Sequence, residues 1–182
     1  MSSPVSQADT PPRSGLVLLA LIVGAIVANI NLSIANVALP TIGSDLGASQ
    51  DQLNLIAEAF ALGLASTVLY LGAIGDRYGR KMLFVIGAIL TIPTACMSAW
   101  APNAEFLAFS RLTAGFAAAL LFPTTLSLIS SLYRGNAKVK AIAMWSGLGA
   151  GFAALGPLAG GYLLQYFWWG SVFLISIPLV VV

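Results

Sequence analysis

Long apolar runs alternate with short polar links along this chain. The runs cover about residues 15–39, 52–74, 82–100, 106–133 and 141–165. As helices rising 1.5 Å per residue, each is about long enough to cross a hydrocarbon core of ~30 Å. None alternates polar and apolar residues as the strands of a membrane barrel do. The pattern predicts five spanning helices, the first ending at Pro40. A further apolar stretch, residues 171–182, reaches only ~18 Å at that rise. It is the start of a sixth span, and the chain is expected to be a fragment or to continue. Residues 1–14 (MSSPVSQADTPPRS) are polar and proline-containing, and a disordered tail is expected there.

Composition supports this all-α reading. The chain is 59% hydrophobic and 8% charged and has no histidine, whereas soluble domains carry about 25% charged residues. The first run is too long for a signal h-region. The single cysteine, Cys96, lies in an apolar run, which excludes a disulfide scaffold and leaves a small buried hydrophobe. If the spans alternate, Arg13, Arg77, Arg80, Lys81, Arg134, Lys138 and Lys140 share the side of the N-terminal tail. The opposite links carry Asp45, Asp51 and Glu105 and no base. The positive-inside rule then makes the N-terminus cytoplasmic, in a multi-pass protein of the plasma or inner membrane surrounded by lipid. Trp100, Trp168 and Trp169 are expected at the outer interface.

Enzyme chemistry finds no support here. There is no metal-ligand cluster and no sign of a cofactor. Gly147-x-Gly149-x-Gly151 lies inside a span and follows no strand, so it is not a dinucleotide loop. The bases are too few and too dispersed for nucleic acid.

Two ionisable residues fall within spans, a costly placement that points to function. Glu58 and Arg111 each lie roughly 8–9 Å below the outer face, and Asn31 of the first span comes to roughly 12 Å from it. The three side chains therefore share one layer. Asn29, Ser33 and Asn36 share one face of the first span, and Asn31 points well away from it. For the three on that face, interhelical hydrogen bonding and a functional role carry equal weight. Glu58 is either a static partner of Arg111 or a proton carrier whose affinity responds to a nearby cation. Arg111 stays protonated at working pH and can only bias its neighbours.

The link after the second span, GAIGDRYGRK, resembles the loop signature of the major facilitator superfamily at Gly72, Asp76, Arg77, Gly79, Arg80 and Lys81. The resemblance implies a gate on the cytoplasmic side. Span five is similar to the family's antiporter motif at Gly156, Pro157, Gly160 and Gly161, with Phe152 where the first glycine belongs and Gly147 and Gly151 displaced from it. Span four matches an Arg-x-x-Gln-Gly pattern at Arg111 and Gly115, with Ala114 in the glutamine position. NLSIANVALP resembles the span-one motif of the fourteen-helix drug/proton antiporters, with Asn31 in the acid position.

The resemblance implies the first five helices and part of the sixth of a major-facilitator N-terminal bundle. The implied activity is proton-coupled export of drugs or amphipathic and quaternary cations. Protons and a small cationic substrate are the expected ligands, with Glu58, Arg111 and Asn31 coupling them, and the second half of the transporter is missing from this chain. The alternatives are a half-transporter fragment without activity of its own, or a proton-coupled uptake carrier of the same fold.

Overall fold

The computed structural model describes residues 13–181. Nearly all of the expected tail, and Val182, lie outside the described residues. Among the described residues seven helices follow one another: α1 (Ser14–Leu46), α2 (Gln50–Tyr78), α3 (Arg80–Ala99), α4 (Ala104–Leu132), α5 (Gly135–Tyr166), α6 (Ser171–Leu174) and α7 (Ser176–Val181). The first five are long and apolar enough to cross a membrane. There is no strand among the described residues. The fold is an all-α bundle of the membrane type, and the residues where the start of a sixth span is expected form the short pair α6 and α7.

The helices overrun the apolar windows because polar residues cap them. Ser49 and Gln52 form a reciprocal capping box at the start of α2, and the Asn103 side chain accepts from the Phe106 amide at the start of α4. Pro40 does not end α1. The helix runs on to Leu46 and is closed by Gly47 in the left-handed conformation (φ 60°). A proline removes one intrahelical bond and can bend a helix without stopping it.

Between apolar helices in a lipid-like setting, close approach and hydrogen bonds supply the association. α2 and α4 approach most intimately, at two glycines. A Cβ on Gly63 would lie 2.2 Å from the Leu112 carbonyl oxygen, and one on Gly115 would lie 2.3 Å from that of Phe60. α1 packs along α5 through Gly156 and Gly160, while α3 lies against α4. Three apolar clusters fill the bundle. The largest joins Ile30, Ile34 and Ile42 of α1 to Leu107 of α4 and to Val172 and Phe173 of α6. A smaller one ties Leu21 to Ile129, Tyr133 and Ala141. The third, around Ala28, Phe60, Ala114 and Ala118, lies under the α2–α4 crossing.

Both ends are pinned by polar contacts. The Tyr133 hydroxyl donates to the Ser14 carbonyl, and Trp169 Nε1 donates to Asp45 Oδ2 at 2.6 Å. Of the tryptophans expected at the outer interface, Trp100 and Trp168 are exposed, with ring centroids 6.3 Å apart. Trp169 differs: it is buried, because its indole N–H is used to tie the α5–α6 turn back to α1. Cys96 is a partly exposed free thiol rather than a fully buried one.

Substituting Gly63 or Gly115 by alanine should therefore push α2 off α4 and cost several kcal/mol, at the upper end of overpacking effects. Gly161→Ala, where nothing lies within 4 Å of the added methyl, should change little. Thermal unfolding of the detergent-purified full-length protein checks both. Equal unfolding temperatures for Gly63→Ala and Gly161→Ala would contradict the crossing described.

Candidate functional site

Arg111 is the largest fully buried side chain in the bundle. It enters from α4 four residues before Gly115, and the α2–α4 crossing determines what it meets. Its guanidinium carbon sits 4.6 Å from the Phe60 ring centroid and 5.3 Å from that of Phe173. Desolvated cation–π contacts of this kind contribute about 2 kcal/mol. Nη2 donates to the backbone carbonyl of Asn31 at 2.7 Å. Nε and Nη1 are buried without a partner among the described residues. An uncompensated buried charge costs several kcal/mol, so this arrangement is not one that stability alone favours.

Arg111 and Asn31 are thus brought together, through the Asn31 main chain. The Asn31 amide instead turns back on its own helix, Nδ2 donating to Val27 O at 3.0 Å. Glu58 is elsewhere. It lies two residues from Phe60, and residues two apart on a helix point nearly oppositely. Phe60 faces Arg111, whereas Glu58 is exposed and has no hydrogen-bond or ion-pair partner among the described residues. The static Glu58–Arg111 pair weighed from sequence is absent. Glu58 instead shares an exposed stripe of α2 with Leu55, Leu62 and Leu69.

At the α2–α3 link, Gly79 adopts φ 105°, a conformation that admits glycine and strains other residues. Arg80 Nη1 donates to the Ser127 carbonyl of α4 at 3.1 Å, which seats the start of α3 within this bundle. Arg77 lies 5.6 Å from the ring of its neighbour Tyr78, and Lys81 is exposed. Gly72 has open space where a side chain would begin. The Asp76 side chain lies outside the described residues.

Residues 21–182 match the family profile described as Major Facilitator Superfamily. The chain belongs to the major facilitator superfamily. The methyl viologen resistance protein SmvA of Salmonella typhimurium is 37% identical over 171 residues, covering 93% of this chain and 34% of the relative. The multidrug efflux pump LfrA of Mycolicibacterium smegmatis is 35% identical over 175 residues, covering 96% and 35%. The methylenomycin A resistance protein of Bacillus subtilis is 32% identical over 174 residues, covering 95% and 37%. The chain thus spans about a third of the length of these curated relatives. Membership places it among transporters rather than enzymes.

In this major-facilitator bundle the glycine-proline motif of α5 divides in two. Gly147, Gly151 and Gly161 have nothing within 4 Å of an added Cβ. Gly156 and Gly160 pack on α1, where added Cβ atoms would lie 2.3 Å from Ser33 Oγ and 2.9 Å from Ile34 Cγ1. Pro157 has no N–H to give to the carbonyl of Ala153, four residues earlier. Ser33 Oγ donates to that same carbonyl at 2.9 Å. Gly156 makes the room, Pro157 frees the acceptor, and a hydroxyl on another helix fills it. Asn29 lies on the same side of α1, its Nδ2 3.7 Å from an added Cβ on Gly149, while Asn36 is exposed.

Sequence reasoning passed over Gly63, Phe60 and Phe173, which build the arginine site. The signal for Gly63 was its place on α2 opposite the Gly115 already noted on α4. The aromatic pair sits within apolar runs and carries no separate signal.

Two outcomes follow from this geometry. Ser33→Ala should cost about 1–3 kcal/mol by leaving the Ala153 carbonyl without a partner. Combined with Pro157→Ala, which restores the helix bond, it should cost little, and a double-mutant cycle on unfolding free energy reads the coupling directly. Arg111→Met should leave the fold as stable or more stable, since an apolar chain of similar length removes an unpaired charge and still packs on Phe60 and Phe173. A large drop in unfolding temperature for Arg111→Met would show that the charge has a compensating partner.

Proposed function

We propose that this chain forms the N-terminal wall of a proton-coupled exporter of amphipathic or quaternary cations in the plasma or inner membrane. Its N-terminus is on the cytoplasmic side. The observation that carries the reading is Glu58, a carboxyl on the exposed face of an apolar spanning helix. A carboxylate facing hydrocarbon is costly, so that face is expected to border water or protein, where it can exchange a proton for a cation. The resistance and efflux relatives support the direction of transport, and the concentration of bases at one end of the bundle supports the orientation.

In this reading a second bundle supplies the opposite wall, and the two rock about the substrate between them. Protons entering from outside load Glu58, and their inward movement drives the cation out. Each charge moved down the membrane potential contributes ~2.3 kcal/mol per 100 mV. Arg111 remains a fixed positive charge behind Phe60 and biases the site without exchanging its proton. Asn31 supplies the carbonyl that holds it. Arg80 and Gly79 hold the cytoplasmic gate.

Glu58→Gln in the full-length protein should abolish cation export driven by a pH gradient in inverted vesicles, with unchanged protein level and unfolding temperature. Export that persists at the wild-type rate would remove Glu58 from the mechanism. Cation accumulation in the opposite direction would replace the exporter reading with an uptake carrier.

A further inference from the structure

A small cavity of about 10 Å³ lies where α1, α2, α3 and α4 meet. Sites for drug-sized ligands start at about 300 Å³, whereas one water needs only about 10–15 Å³. Size therefore admits a single small occupant. Most of the wall is apolar, but four polar side chains are set into it: Asn31 of α1 and Thr91, Thr94 and Ser98 of α3. All four are buried, none more than 8% exposed.

Their hydrogens are committed to their own helices. Thr91 Oγ1 donates to Gly87 O at 2.9 Å, Thr94 Oγ1 to Leu90 O at 2.9 Å and Ser98 Oγ to Thr94 O at 3.0 Å. Ser98 also shares a hydroxyl–hydroxyl bond with Ser110 of α4 at 3.0 Å. The bond from Asn31 Nδ2 to Val27 O leaves Oδ1 without a partner among the described residues. A hydroxyl whose one hydrogen is used can still accept, so the cluster has lone pairs to offer. Acceptors cannot satisfy one another. They need a donor.

An oxygen-lined cage of this kind suits a bare cation or a water. A cation is opposed by Arg111, whose guanidinium meets two of the walls. It sits 4.6 Å from the Phe60 ring centroid and donates to the Asn31 carbonyl. No acid lines the cavity to offset that like charge. A hard divalent ion would also want about six oxygens. Water meets neither objection, since it is neutral and supplies two hydrogens of its own.

We propose that this cavity is an internal water site, the water donating to Asn31 Oδ1 and to the hydroxyl oxygen of Thr94, the middle of the three on α3. α1 and α3 approach each other less closely than either approaches α4. The water is thus a polar link between two helices that lack a tight seam of their own. The site stands whichever solute is carried.

The test is X-ray radiolytic footprinting of the purified full-length protein in lipid nanodiscs, without dissolved oxygen, mixed with heavy-oxygen water just before the pulse. Radicals made from a bound water oxidise the side chain beside it. Phe60 lines the cavity, whereas Phe173 is equally buried, at 1% exposure, and does not. Phe60 should be oxidised severalfold more than Phe173, and with ordinary oxygen, while exposed Tyr162 takes up the heavy isotope. Oxidation of Phe60 no greater than that of Phe173 would overturn the site. Heavy oxygen reaching Phe60 as fast as Tyr162 would do so too, by showing a route for bulk solvent. A Phe60 footprint that vanishes when sodium is replaced by choline would put a cation there instead. Thr94→Val removes one acceptor at nearly constant shape and should lower Phe60 oxidation severalfold with Phe173 unchanged. Asn31→Leu removes the other acceptor, keeps the main-chain carbonyl that holds Arg111, and should do the same. Unchanged Phe60 oxidation in either variant that folds would overturn the proposed cage.

Discussion

Everything near the buried charge depends on how closely α2 approaches α4. Gly63 and Gly115 bring the two backbones together, and each faces main-chain atoms of the other helix at distances no Cβ could tolerate. Phe60 lies one turn from Gly63 and Arg111 one turn from Gly115. The glycine contact therefore fixes the separation at which an aromatic ring meets a guanidinium. Widening that crossing by the width of a methyl group would open a gap between ring and cation, and dispersion and cation–π attraction both fall steeply with such gaps. The arginine is thus held by backbone geometry and two ring faces, with a main-chain carbonyl as its single hydrogen-bond acceptor among the described residues.

That arrangement changes what the polar layer in the membrane means. Depth along a helix can be counted from sequence, and the count put Asn31, Glu58 and Arg111 at similar heights. The structure joins Asn31 to Arg111 but sets Glu58 on another face, because depth says nothing about direction around the helix axis. The spacing of Glu58 and Phe60 held the missing information, yet using it required knowing which of the two faced α4. The long apolar runs, by contrast, were legible without any contact, since hydrophobic length alone decides what crosses a bilayer. Helix ends were not. Pro40 reads as a stop in a water-soluble setting, while here the chain continues for another turn and a half to a glycine cap.

The α5 motif shows a third kind of legibility. Its glycines and proline stand out in the sequence, and so does Ser33 as a polar residue on a span, but nothing in either segment says that they serve one another. The pairing follows from chemistry that emerges only in three dimensions: a proline leaves one carbonyl unfilled, and in an apolar environment that carbonyl needs a donor. The Phe122–Trp145 ring pair was less legible still. Phe122 and Trp145 belong to runs where any bulky apolar residue satisfies the pattern, and their contact, with ring centroids 5.4 Å apart, emerges only in the fold.

The serine–proline pairing has a mechanical consequence for α1 and α5. A helix that satisfies its own proline can slide along its neighbour with only a change of apolar contacts. Here the missing internal bond is supplied by the neighbour, at one position and from one hydroxyl. Translation of α5 by a single turn would strand the Ala153 carbonyl and carry the small Gly156 notch away from Ser33. The two helices therefore behave like a toothed rack with one tooth engaged. They can tilt together as one body, but slippage between them is discouraged, so rearrangement of the bundle is directed to the other helix boundaries.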